Sequence, residues 1–156
     1  MLTSTYIHMT GITEEIERQL WQQGALDWHT LLASPDRWHL VEPYRTAVLH
    51  GAARSLDALE RADHAFFAGR LPVHEHWRAL PEFQPRTAYL DIETDGGTTI
   101  TVVGVYDGTE VYQFVQGKNL HTFPEFIRQF GLLVTFNGLN FDLPMLGNTF
   151  LGLKFD

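Results

Sequence analysis

Three carboxylates raise the first chemical question in this chain. In Leu90-Asp91-Ile92-Glu93-Thr94, two acids stand two positions apart inside an apolar run. On a strand, positions i and i+2 face the same way, so Asp91 and Glu93 would present their carboxylates side by side. Like charges that close raise one pKa unless a cation relieves them. Hard divalent ions such as magnesium and manganese prefer oxygen ligands and suit that role. A third acid, Asp142, closes Val134-Thr135-Phe136-Asn137-Gly138-Leu139-Asn140-Phe141-Asp142, where an apolar strand runs into a helix. If the two strands are neighbours, the three acids converge at one end of a sheet. A plainer alternative stands beside this. The first strand ends at Leu90 and its acids are solvated, Asp142 answers the positive end of a helix, Asn140 is an N-cap, and Asn137-Gly138 is a turn.

The elements that must position these acids change character near Gln84-Pro85-Arg86. Residues 1–84 read as a helical region and residues 85–156 as an α/β region. A first helix is predicted from the cap Thr13, with acids in its first turn, Ile16, Leu20 and Trp21 at helical spacing, and Gly24 as its stop. A short helix follows over 28–32, begun by Asp27. A long one is predicted over 43–69, with Pro43 in its first turn and an apolar stripe of Val48, Leu49, Ala52, Leu56, Leu59, Ala62 and Phe66. A connector with one helical turn leads to strands over 87–93, 99–106 and 110–115. The turn Asp95-Gly96-Gly97 and the hairpin signal Asp107-Gly108 separate them. A helix over 124–130 capped by Thr122, a buried strand over 132–136, and a last helix capped by Asn140 complete the order β-β-β-α-β-α.

Composition narrows the function classes. The 156 residues are 44% hydrophobic and 19% charged, which supports a packed core rather than disorder. There is no cysteine, so a disulfide framework, a thiolate metal site and a cysteine nucleophile are all excluded. The N-terminus carries no signal-peptide pattern and no apolar stretch is long enough to span a bilayer, so no membrane partner and a cytoplasmic location are expected. The net charge of −8 argues against a protein that grips nucleic acid mainly by counterion release. His74 and His76 lack a third ligand and read as surface residues. Trp21, Trp28, Trp38 and Trp77 read as core, and Gly104 as a bulge or a close approach.

The two acidic segments together resemble the first and second motifs of the DEDD exonucleases, Asp-x-Glu-Thr and an Asn followed by an aromatic-Asp pair. The strand order resembles that of the ribonuclease H-like fold. More narrowly, Tyr89-Leu90-Asp91-Ile92-Glu93-Thr94 with Val134-Thr135-Phe136-Asn137-Gly138 resembles the YprB-like family of bacterial ribonuclease H-like proteins. Leu71-Pro72 with Trp77-Arg78 and Phe83, and Ile7 to Ile12 with Leu20-Trp21 and Gly24, extend that resemblance upstream.

The resemblance implies a divalent-metal-dependent nucleic-acid phosphodiesterase of the 3′-to-5′ type. Asp91 would bridge two magnesium or manganese ions, Glu93 would bind one, and Asp142 would help hold the other. Thr94, Asn137 and Phe141 would contact substrate, DNA or RNA with a single-stranded 3′ end. The family's third motif, an Asp preceded by Tyr or His, is not found before the sequence stops at Asp156. The expectation is therefore an incomplete ribonuclease H-like domain, inactive or weak alone, whose sheet a second chain or downstream segment would complete. The competing expectation is a non-catalytic binding or interaction module with a degenerate nuclease remnant.

Thr10-Gly11-Ile12-Thr13 resembles a helix-hairpin-helix motif, covering residues 7–33. That implies main-chain contacts from Gly11 and Thr13 to a nucleic-acid backbone. A purely structural hairpin is the alternative, because Glu14, Glu15 and Glu17 crowd the helix start where a phosphate would sit.

Overall fold

Thr13 begins the first helix. Its Oγ1 accepts a hydrogen bond from Ile16 N–H at 3.4 Å, satisfying one of the N–H groups that a first turn leaves unpaired. The computed structural model describes residues 1–155. It places this helix, α1 (Glu14–Gln23), in a unit spanning Met1–Glu82, with a second unit over Phe83–Asp156.

In the first unit, Gly24 ends α1 in the left-handed region at φ 95°. Asp27 caps α2 (Trp28–Ala33) by accepting from Thr30 N–H at 2.7 Å. The side chain of Glu17 is buried. It accepts from the Thr5 hydroxyl at 2.7 Å and from Tyr6 N–H, and it pairs with Arg78 at 3.4 Å. A first-turn acid is thus an internal tie that holds the N-terminal segment onto α1.

The core gathers Tyr6, Trp28, Leu31 and Phe67. Each buried polar tip finds a carbonyl: Trp28 Nε1 donates to Thr5 O at 2.7 Å and the Tyr6 hydroxyl to Ala25 O at 3.1 Å. The Trp28 and Phe67 rings stack with centroids 6.0 Å apart. All 4 tryptophans belong to this unit. Trp77 departs from the expectation that they are core: a 3₁₀ segment over Val73–Ala79 leaves it 54% exposed.

The single long helix expected over 43–69 is two helices, α3 (Tyr44–Glu60) and α4 (His64–Ala68). Ala62 turns the chain at φ 52°, and the Asp63 side chain starts a new helix by accepting from Phe66 N–H at 3.0 Å. Pro43, reached through a cis peptide bond, sits at the cap of α3 rather than inside its first turn. On α3 the buried positions are Val48, Ala52, Ser55 and Ala58, while Leu49, Leu56 and Leu59 are half-buried. A short α5 (Leu80–Phe83) follows.

The second unit carries β1 (Thr87–Thr94), β2 (Ile100–Tyr106), β3 (Val111–Val115), α6 (Phe123–Ile127), β4 (Leu132–Val134) and α7 (Asp142–Thr149). This is a mixed α/β arrangement in the order β-β-β-α-β-α, compatible with a ribonuclease H-like fold. Aspartates build both connecting turns. Asp95 Oδ1 accepts from Gly97 N–H at 2.9 Å, and Asp107 Oδ1 accepts from Thr109 and Glu110 N–H, each at 2.8 Å.

The sheet order is β3-β2-β1-β4. β1 pairs antiparallel with β2 and parallel with β4, with Tyr89 opposite Val134. One face of the sheet is buried through Ala88, Leu90, Ile92, Val103, Val105 and Phe114, packed with Phe123, Ile127 and Leu146 from α6 and α7.

Thr122 holds the cap position of α6 as expected, but without a side-chain cap bond: its hydroxyl donates to Asn119 O at 2.8 Å. Two boundaries differ from expectation. The same helix ends at Ile127, short of Phe130. β4 stops at Val134, and Phe136 is 92% exposed. β4 is an edge strand with β1 as its one neighbour among the described residues, so its side chains are only half-buried and the ladder does not extend to Phe136. No helix among the described residues is long and apolar enough to cross a membrane.

Candidate metal-binding site

β1 continues through both acids instead of ending at Leu90. Burial alternates along it: Leu90 and Ile92 enter the core, whereas Tyr89, Asp91 and Glu93 share the exposed face. Asp91 lies opposite Gly104 of β2, and Glu93 opposite Val102. The ladder shifts register between Glu93 and Thr94. The extra residue is Thr101 of β2, on the same strand as Gly104 but not at it, and a Cβ at Gly104 would meet nothing closer than Asp91 O at 3.9 Å. Thr94 Oγ1 accepts from Gly96 N–H at 3.3 Å, at the start of the turn.

Parallel pairing sends the chain leaving β4 toward the same end of the sheet as the carboxyl end of β1. The segment 135–141 then turns sharply into α7. Asn137 adopts a left-handed conformation at φ 57°, and its carbonyl accepts from the N–H groups of Asn140 and Phe141 at 3.1 and 3.2 Å. Asn140 is not the helix cap: its side-chain amide donates to Asn137 Oδ1 at 2.9 Å, and Phe141 holds the cap position without a side-chain bond.

Gly138 is buried. A Cβ there would lie 1.8 Å from Thr135 Oγ1 and 2.6 Å from Thr135 Cβ, so the close approach requires glycine. Gly138 O accepts from Leu143 N–H at 2.9 Å, tying the turn to the helix it launches.

The result is a buried Asp142, 2% exposed, at the first position of α7. Burial pushes its carboxyl up from the ordinary value. The charge of Asp91 pushes the same way, and main-chain N–H groups of Asp142 itself and of Ile92 oppose both. The structure thus brings Asp142 within electrostatic reach of Asp91.

It does not gather all three acids. Among the described residues, no group of three or more His, Asp or Glu side chains could hold a metal ion. Asp91 and Asp142 offer an all-oxygen donor pair with one desolvated member, which is chemistry that suits a hard cation. Glu93 stands one strand repeat away on the same exposed face. Asp156, left unassigned from the sequence, lies outside the described residues.

Phe141 is 44% exposed, and Phe136 and Leu139, at 92% and 65%, expose further apolar surface in the same segment. Tyr89 and Tyr106 stand on the acid-bearing face with ring centroids 5.9 Å apart. Sequence reasoning passed over Phe136, Leu139 and this tyrosine pair. Tyr89 was within reach of the same alternation that picked out Asp91. At the other candidate segment, Gly11 is exposed at φ 79° and the Thr13 hydroxyl is engaged as the cap of α1.

Comparison with known proteins places residues 88–156 on a family model described as the RNase_H superfamily. No curated protein and no solved structure matches the chain.

Proposed function

We propose, starting from the RNase_H superfamily match over residues 88–156, that the second unit belongs to a divalent-metal-dependent phosphodiesterase acting on nucleic acid. The observation that carries this reading is Asp142, buried at the head of α7 and raised in pKa partly by Asp91 on the neighbouring strand. Two carboxylates drawn together and partly desolvated are costly without a cation.

Asp91 and Asp142 would hold magnesium or manganese, with Glu93 completing the set from the same strand face. Such ions supply Lewis acidity at the scissile phosphate. The chain's own residues do the rest. β1 and α7 fix the positions of the acids. Phe141 offers an exposed ring against which a base can stack. Thr94 and Asn137 would supply polar contacts to the strand. In the reaction, water would add to phosphorus while the bridging P–O bond to the remaining strand breaks, and the strand oxygen released would take up a proton. The finer reading is digestion from a single-stranded 3′ end.

Manganese titration by calorimetry, on the wild-type chain and on Asp91→Asn, tests this together with cleavage of a labelled single-stranded oligonucleotide. Saturable binding that disappears in the variant supports the reading. A folded wild-type chain that neither binds manganese nor cleaves refutes it and favours a non-catalytic module, the reading to which the lack of a three-ligand group among the described residues lends weight.

A further inference from the structure

The Met1–Glu82 unit contains a cleft of about 120 Å³ whose polar lining is cationic or neutral: His8, Thr10, His50, Arg54, Ser55 and Arg70, with no carboxylate. Arg54 comes from α3 and Arg70 from just beyond α4. Both guanidinium groups lie against the Phe66 ring, 5.8 and 4.1 Å from its centroid. Arg70 also donates to Phe66 O at 2.8 Å, which fixes its fork. Neither arginine makes an ion pair among the described residues. Two unpaired cations converging on one ring, in a chain of net charge −8, form a local field that an anion would neutralise.

An independent observation points the same way. His8 is 4% exposed and lines this cleft. Its Nε2 is 2.7 Å from Ser55 Oγ, and Ser55 donates its one hydroxyl proton to Gly51 O at 2.8 Å. Nε2 must therefore carry the proton, and Nδ1 is left as an acceptor. That Nδ1 is buried and has no hydrogen-bond partner. A buried acceptor without a donor is costly, and in the wall of a cationic cleft a bound anion would favour a proton on it.

We propose that this cleft binds one phosphate group, clamped by Arg54 and Arg70 with His8 and His50 at its wall. Guanidinium forks match the several oxygens of a tetrahedral oxyanion. The volume is well below the roughly 300–1,000 Å³ of ligand pockets that enclose a whole small molecule. It holds the phosphate alone, with whatever bears it left outside. The site draws on none of the residues of the second unit, so it stands or falls apart from the metal-site reading.

The test uses the full chain in EDTA and low salt, which silences any metal site. Inorganic phosphate is titrated by calorimetry into wild type, Arg54→Gln, Arg70→Gln and Arg61→Gln, with circular dichroism confirming the fold of each. Arg61 is the control, since it pairs with Asp57 and does not line the cleft. The expected result is saturable binding, weakened about tenfold or more by either cleft variant and unchanged in the control. A short single-stranded oligonucleotide without terminal phosphates is the second probe. If it displaces inorganic phosphate, the source is a nucleic-acid backbone; if not, the source is a phosphate monoester, and either result supports the cleft. No saturable phosphate binding in the folded wild type, or equal loss in Arg61→Gln, overturns the proposal.

Discussion

Asp142, the first residue of α7, is buried within the electrostatic field of Asp91 on β1. The parallel pairing of β1 with β4 sets up this meeting, because it carries the connection out of β4 toward the carboxyl end of β1. The fold therefore holds an unfavourable pair of acids in place, and the first prediction follows from that cost.

Asp142→Asn keeps the size of the side chain and removes its charge. Without metal, the thermal midpoint should rise by about 2–4 °C, the shift expected for roughly 1 kcal/mol in a chain of this size. Manganese binding should fall in the same variant. Differential scanning calorimetry with EDTA and with manganese reads both, and a midpoint that drops in EDTA would show that the carboxylate is instead a structural hydrogen-bond acceptor.

Glu17 makes the opposite kind of contact. It is buried, accepts from Thr5 and Tyr6, and faces Arg78. Glu17→Ala leaves the Thr5 and Tyr6 donors unsatisfied and Arg78 with Glu75 as its remaining carboxylate partner, and should destabilise the first unit by about 2 kcal/mol. Urea unfolding of the variant checks this. A loss under about 0.5 kcal/mol, the range of an ordinary surface change, would mean that the tie is not made.

Gly138→Ala should cost about 1–3 kcal/mol, because the new methyl collides with Thr135 and the turn must open. The opening moves the start of α7, so metal affinity should fall with stability. Should the variant unfold as wild type does and bind manganese equally well, the turn is not what positions Asp142.

His8 gives a pH prediction. Burial, and then the charge of Arg70, lower its pKa from 6.5 to about 4. The folded state thus stays neutral where the unfolded state takes up a proton. Between pH 6.5 and pH 4 the unfolded chain binds more protons, so stability falls as pH falls through that window and levels off below it. The full loss is on the order of 3 kcal/mol. Urea midpoints at pH 7 and pH 5 should differ in that sense; equal midpoints would mean that the ring is hydrated or already paired. Bound phosphate should shrink the difference, by favouring the protonated ring.

What could be read from the sequence was whatever local chemistry decides. The caps Thr13 and Asp27, the stop at Gly24 and the turns at Asp95 and Asp107 all act within a few residues of themselves. The two-residue alternation that put Asp91 and Glu93 on one face is local too. The break between α3 and α4 was missed because the apolar spacing runs on across it, and the decision rests on Asp63 capping a new helix. Phe136 read as strand because the apolar run includes it, but β4 lies at a sheet edge, where no further neighbour rewards extension. Asn140 looked like a cap by type and place. Asn137, in its left-handed conformation, claims its side chain instead. The arginine cleft had no local signal: Arg54 and Arg70 meet over Phe66 only once α3 and α4 have packed.

The distribution of tryptophan decides how these experiments can be watched. With Trp21, Trp28, Trp38 and Trp77 all in the first unit, indole emission is a reporter of that unit alone. Trp28 sits with its ring centroid 5.3 Å from that of His8, so its emission should also sense protonation of that imidazole and phosphate entering the cleft. The unit that bears Asp91 and Asp142 is spectroscopically dark at those wavelengths. A melting curve from fluorescence that fails to overlay one from far-ultraviolet dichroism would then reveal two separate unfolding transitions. Tyr106→Trp, at an exposed position of β2 directly opposite Tyr89 of β1, would light the second unit for the same measurement.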